Sequence, residues 1–150
     1  MNATLRNFLF GTMALAGVLT LMSGCASGPG AAGGDMVAGD KVVLTGANEV
    51  PPVLTTAAGS GTVTIKPDHT VTAIIVAAGM TATAAHIHEG AAGSNGPVII
   101  KLVQSGDTWS VPAGAKLTEA QFASFKSGKL YVNVHTAANS KGEMRAQLKP

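Results

Sequence analysis

Four histidines occur in the chain, at positions 69, 86, 88 and 135, and the spacing of three of them suggests chemistry. Successive side chains of a strand point to opposite faces, so in Ala85-His86-Ile87-His88 the two imidazoles share one face and Ile87 takes the other. In Leu130-Tyr131-Val132-Asn133-Val134-His135 the same alternation puts Leu130, Val132 and Val134 on one side and Tyr131, Asn133 and His135 on the other. A neutral imidazole offers a lone pair at about 2.0 Å to copper or zinc. If the two segments are neighbours, His86, His88 and His135 come within reach of one metal ion, and copper is a candidate cofactor. The same rings could instead hydrogen-bond Glu89, Glu143 or backbone groups and tie strand ends together. The residues alone leave both uses open.

Other groups carry weaker signals. His69 lies in Pro67-Asp68-His69, where a solvated turn residue is expected. Met80 and Met144 are soft ligands suited to Cu(I), but such residues usually fill core space. In the last segment Met144, Ala146 and Leu148 oppose Glu143, Arg145 and Gln147, which places Met144 away from the polar side. Glu143 and Arg145, two residues apart, are expected to form a structural ion pair or to hold loops. With Glu89 and Asn133 they make a candidate structural polar cluster. No catalytic residue is assigned, because no Ser-His-Asp spacing, phosphate loop or carboxylate pair is evident. The Gly-rich stretch from Gly90 to Gly96 lacks the strand-to-helix setting that phosphate binding needs, and reads as a turn-rich loop.

The elements that must position these groups are short and β-rich. Val, Ile and Thr concentrate in 41–45, 61–66, 70–76, 83–88, 97–103 and 130–136, with a short piece around Trp109 and a final run over 143–149. Pro51 and Pro52 interrupt the pattern early. Only Leu117 to Lys126 reads as a helix: Thr118 and Gln121 have capping-box spacing, Phe122 and Phe125 share a side with Leu117, and Gly128 ends it. Many strands, one short helix and no βαβ rhythm predict an all-β fold, an antiparallel Greek-key sandwich or barrel.

The N-terminus is different in kind. Arg6 is followed by an apolar run of roughly 15 residues from Phe8 to Met22, the layout of a secretory signal and too short for a membrane span. Leu21-Met22-Ser23-Gly24-Cys25 resembles a bacterial lipobox, which implies cleavage after residue 24 and acylation of Cys25, the only cysteine, with palmitate-type chains. Residues 25–40 are expected to be the lipidated cysteine and a flexible Gly/Ala/Ser tether, leaving 41–150 as the domain. The partner so implied is a membrane, held through lipid, together with an unidentified protein or envelope ligand. Ala26 rather than Asp after the cysteine implies, by the same resemblance, the outer membrane. With 12% charged residues and a net charge of +2, the chain has no basic stripe for phosphates, so nucleic acid is not expected as a partner.

Five ordered stretches resemble the CHRD domain, the module named after chordin and found in many bacterial secreted proteins. They are Leu44-Thr45-Gly46-Ala47-Asn48-Glu49-Val50-Pro51-Pro52, Ala85-His86-Ile87-His88-Glu89-Gly90, Asn95-Gly96-Pro97-Val98, Leu130-Tyr131-Val132-Asn133-Val134-His135-Thr136 and Gly142-Glu143-Met144-Arg145-Ala146-Gln147-Leu148. The resemblance implies an extracytoplasmic β domain acting as a non-catalytic binding module of the cell envelope. Copper binding through the three histidines is the alternative. His86-Ile87-His88-Glu89 with a late Val134-His135 is also similar, more weakly, to copper/zinc superoxide dismutase, which implies redox chemistry as a third reading. The zinc-loop histidines and the disulfide of that enzyme are missing here.

Overall fold

Val71-Thr72-Ala73-Ile74-Ile75-Val76-Ala77-Ala78 shows the local rule most plainly: alternate residues are buried and exposed along its whole length. A half-buried pleated surface favours β-branched residues in this arrangement. The computed structural model describes residues 39–150. The expected signal segment, Cys25 and nearly all of the expected tether lie outside the described residues. Nine strands and one helix follow: β1 (Asp40–Leu44), β2 (Ala58–Ile65), β3 (Val71–Ala78), β4 (Ala82–Glu89), β5 (Val98–Lys101), β6 (Val103–Ser105), β7 (Thr108–Ser110), α1 (Glu119–Lys126), β8 (Leu130–Thr136) and β9 (Met144–Gln147). They form a five-stranded sheet ordered β1-β2-β3-β7-β6 and a four-stranded sheet ordered β5-β4-β8-β9. Every pairing is antiparallel. The fold is an all-β sandwich with one short helix, as the pattern of elements implied.

The inner faces supply the core. Val42, Leu44, Val63, Val71 and Ile75 come from the larger sheet, and Ile87, Leu130, Val132, Val134 and Met144 from the smaller. Met144 is fully enclosed there, on the side the alternation predicted. Thr45 and Arg145 exchange two backbone hydrogen bonds of 3.1 Å, which tie β1 to β9 along one edge. The helix begins where its cap was expected, with the Thr118 hydroxyl accepting from Gln121 N and the Gln121 side chain accepting from Thr118 N.

Two expectations need correction. The run 97–103 is not one strand. β5 belongs to the smaller sheet and β6 to the larger, and Leu102 between them is buried with its amide donating to Ala85 O. A chain that crosses the sandwich keeps its hydrophobic composition while changing partners, so composition could not reveal the break. His69 is not simply solvated. Its ring stacks on Phe122 at 4.3 Å between centroids, and its carbonyl accepts from Leu117 N, so the β2–β3 turn braces the helix. No helix among the described residues is long and apolar enough to cross a membrane.

Candidate metal centre

β8 is the second strand from the edge of the four-stranded sheet, and all seven of its residues are buried. Its even-numbered members face the core. Its odd-numbered members lie on the outer side of the sheet, and they are buried because loops cover that side. The register sets their neighbours: Asn133 lies opposite His86 on β4 and Arg145 on β9, and Tyr131 lies opposite His88 and Gln147. Two-residue alternation on adjacent strands therefore brings the three histidines onto one surface. His86, His88 and His135 each offer one nitrogen, and these nitrogens all lie within 4.8 Å of one another.

The hydrogen bonds define which nitrogens are free. His88 Nδ1 donates to Gly96 O at 2.9 Å, and His135 Nδ1 donates to Ser140 O at 3.1 Å. Each ring therefore turns Nε2 inward as a lone pair, the tautomer that a metal-ligating imidazole adopts when a carbonyl holds its other nitrogen. His88 Nε2 is buried and has no hydrogen-bond partner. His86 Nδ1 and His135 Nε2 are 2.9 Å apart, so His86 donates to His135 in the absence of a metal. Bonds of about 2.0 Å to a common ion limit donor separations to about 4 Å, so occupancy needs the widest pair to close by somewhat under about 1 Å. A tautomer change at His86 would free Nδ1 as a ligand atom.

Electrostatics favours neutral rings. Burial, then the neighbouring imidazoles His135 and His88, then Lys101 push His86 down to about 4. Burial lowers His88 and His135 as well, with the Gly96 and Ser140 carbonyls working in the opposite direction. No carboxylate acts on the three rings in a way that would hold them protonated. Neutral imidazoles are the form a metal needs.

The rest of the outer layer is a polar scaffold. Tyr131 is stacked between the His88 ring, 4.8 Å away and nearly parallel, and the Arg145 guanidinium at 4.3 Å. Its hydroxyl accepts from Gly96 N at 3.2 Å. Arg145 Nη1 donates to Ser94 O and Asn95 Oδ1, and Gln147 Nε2 donates to Gly90 O and Gly128 O. The loop 90–96 is thus fastened over the histidines by four side chains of β4, β8 and β9. Gly96 is required there, because a Cβ would strike the Glu89 carbonyl.

The structure sorts the other predicted residues. Glu143 accepts from Thr136 Oγ1 at 2.8 Å and from Asn139 Nδ2 at 2.5 Å, which pins the β8–β9 turn, and Arg145 holds loop 90–96. Each goes to a loop rather than to the other. Asn133 lies in the centre of the layer. Glu89 does not join it: with Ile87 it alternates to the other side of β4, where it accepts from Ser124 Oγ of α1 at 2.6 Å. Met80 packs partly buried against the core. Sequence reasoning missed Glu49, which is 4% exposed with Oε1 unpartnered, and whose carboxyl is raised by burial against the lowering pull of Arg145. Its signal was its place in Leu44 to Pro52, the first of the five CHRD-like stretches, where no side-chain role was assigned to it.

A β sandwich that carries a dehydrated layer of imidazole, amide and guanidinium groups beneath its loops on one outer face is the class this architecture defines. Within that class, a family model for the CHRD domain matches residues 41–148, and the chain belongs to the CHRD-domain family. No curated protein and no solved structure matches it.

Proposed function

We propose that this CHRD domain is an envelope-anchored binding module, held to a membrane by lipid on Cys25, and that its ligand is a transition-metal ion bound by His86, His88 and His135. Copper is the metal we assign. Three imidazoles without thiolate or carboxylate suit Cu or Zn, and nitrogen sites in general hold Cu(II) more tightly than Zn(II). The observation that carries the reading is His88: its Nδ1 is committed to a carbonyl while its Nε2 is buried, unpartnered and aimed among two other imidazoles. A buried acceptor without a donor is costly, and a bound cation removes that cost.

The role we assign is binding, which is what the resemblance to the CHRD domain implies. The test has two arms. Calorimetric titration of the mature protein in detergent with Cu(II) is expected to give one equivalent for wild type and none of comparable affinity for His88→Ala. Absence of stoichiometric binding by the wild type overturns the metal reading. For the anchor, Cys25→Ala is expected to move the protein from the membrane fraction to the soluble one and to abolish incorporation of a palmitate analogue. Unchanged fractionation overturns that half.

A further inference from the structure

Four buried side-chain polar atoms among the described residues lack a hydrogen-bond partner: Glu49 Oε1, His88 Nε2, Trp109 Nε1 and Asn133 Oδ1. Trp109 belongs to the other sheet. The remaining three are not scattered. Asn133 lies in the middle of the polar layer, opposite His86 in register and between Tyr131 and His135 along β8. Its amide is near enough to bear on both the His88 ring and the Glu49 carboxyl. Asn133 is 1% exposed, yet Oδ1 accepts nothing. An amide oxygen and a neutral imidazole lone pair, both buried and without a donor, cannot satisfy each other, because both are acceptors. They need a group that is positive toward the ring and offers a hydrogen toward the amide. A metal ion carrying a water does both: the ion takes the lone pair of His88 and the water donates an O–H to Asn133.

We infer that the three-histidine site keeps one coordination position for an exchangeable water, held by Asn133, which a small anion arriving past His86 and Lys101 can displace. The inference rests on the metal-binding reading above and specifies what that site takes besides the metal. His86 is the one ligand of the three that is not buried, so the open side lies on its flank. Lys101 lies directly opposite His86 on β5 and is exposed, which places a positive charge at that entrance. Asn133 also acts on Glu49 through a side-chain hydrogen bond, and an amide whose NH₂ donates to that carboxylate would leave Oδ1 for the site. Glu49 is held in place by contact with Gly142, where a Cβ would collide with its carboxylate. Asn133 and Glu49 are positioning residues here, and Lys101 draws anions in.

Azide is the probe. It replaces water on the metal with no transfer of electrons or protons, and it gives an azide-to-copper charge-transfer absorption. The mature protein in detergent, loaded with one equivalent of Cu(II), is titrated with sodium azide. A saturable new band is expected. Because Asn133 Oδ1 stabilises water and not an anion, Asn133→Ala is expected to tighten azide binding several-fold, and Asn133→Asp to weaken it about tenfold or more. Lys101→Glu, an exposed change that leaves the buried layer intact, is expected to weaken azide binding several-fold at low salt, with the difference fading at about 1 M salt. Copper bound without any azide band means that the position is closed and overturns the inference while the metal reading stands. A band whose strength ignores both Asn133 and Lys101 overturns the roles given to them. Failure to bind copper at all overturns both readings together.

Discussion

Strands β3 and β8 each bury one face against the same core, and their second faces have opposite fates. On β3 the outer residues Thr72, Ile74 and Val76 are open to solvent, and the neighbouring strand β2 adds Ser60 and Thr62, also exposed. On β8 the outer residues Tyr131, Asn133 and His135 are as deeply buried as the core itself. The difference lies in the connections. Among the described residues no loop covers the outer face of β3, whereas segments 45–53, 90–96 and 137–143 supply hydrogen-bond partners or packing to the outer groups of the smaller sheet. Dehydrating a polar face obliges each group to find a partner. At His88 Nε2 and Asn133 Oδ1 that partner is missing among the described residues, and the proposed metal and its water would supply it.

Substitutions on the two outer faces test that contrast. Arg145→Ala removes the stack on Tyr131 and two charge-assisted hydrogen bonds to loop 90–96, and is expected to cost about 3 kcal/mol or more in urea unfolding. The matched change Thr72→Ala on the open face should stay within about 0.5 kcal/mol. Equal costs would break the comparison. Gly142→Ala comes next: φ is 143° and the new methyl meets the Glu49 carboxylate, so a loss of about 2 kcal/mol is expected in the same assay. Tyr131→Phe removes only the acceptor for Gly96 N and should cost about 1 kcal/mol.

The mildest effect is that of acid. Burial lowers all three histidines, and His86 to about 4. The unfolded chain therefore takes up protons as pH falls below about 6.5, while in the fold His86 does not until nearer 4, and His88 and His135 also do so at lower pH than when unfolded. The contribution of these rings is complete above about 6.5 and is lost on acidification through that window. The melting temperature of the metal-free protein should fall from pH 7 to pH 4.5, and the fall should shrink in His86→Asn, whose side chain does not titrate. An unchanged slope would mean that His86 is not held neutral by the fold.

Much of this was legible in the residues. Alternation in His86-Ile87-His88 and in Leu130 to His135 sorted core from polar side correctly, because a side-chain period of two survives any tertiary arrangement. The helix cap at Thr118 and the core placement of Met144 followed from equally local rules. Pairing of β4 with β8, across 49 residues between His86 and His135, was assumed as a condition and could not be derived, since register is decided by the whole sheet. The covering loops were out of reach. Nothing in Ser94-Asn95-Gly96 or Ala138-Asn139-Ser140 shows that their carbonyls will hold imidazoles or a guanidinium. For that reason Glu49 was missed, Glu89 was grouped with residues it does not meet, and the break at Leu102 read as a continuous strand.

Electron paramagnetic resonance of the mature protein carrying one equivalent of Cu(II) tests the central claim most directly, because nitrogen hyperfine structure reports the ligands. Convergence of β4 and β8 predicts a single copper species with three equatorial or near-equatorial imidazole nitrogens, losing one in each of His86→Ala, His88→Ala and His135→Ala. A spectrum with one imidazole nitrogen or none, or one indifferent to His135, would contradict it.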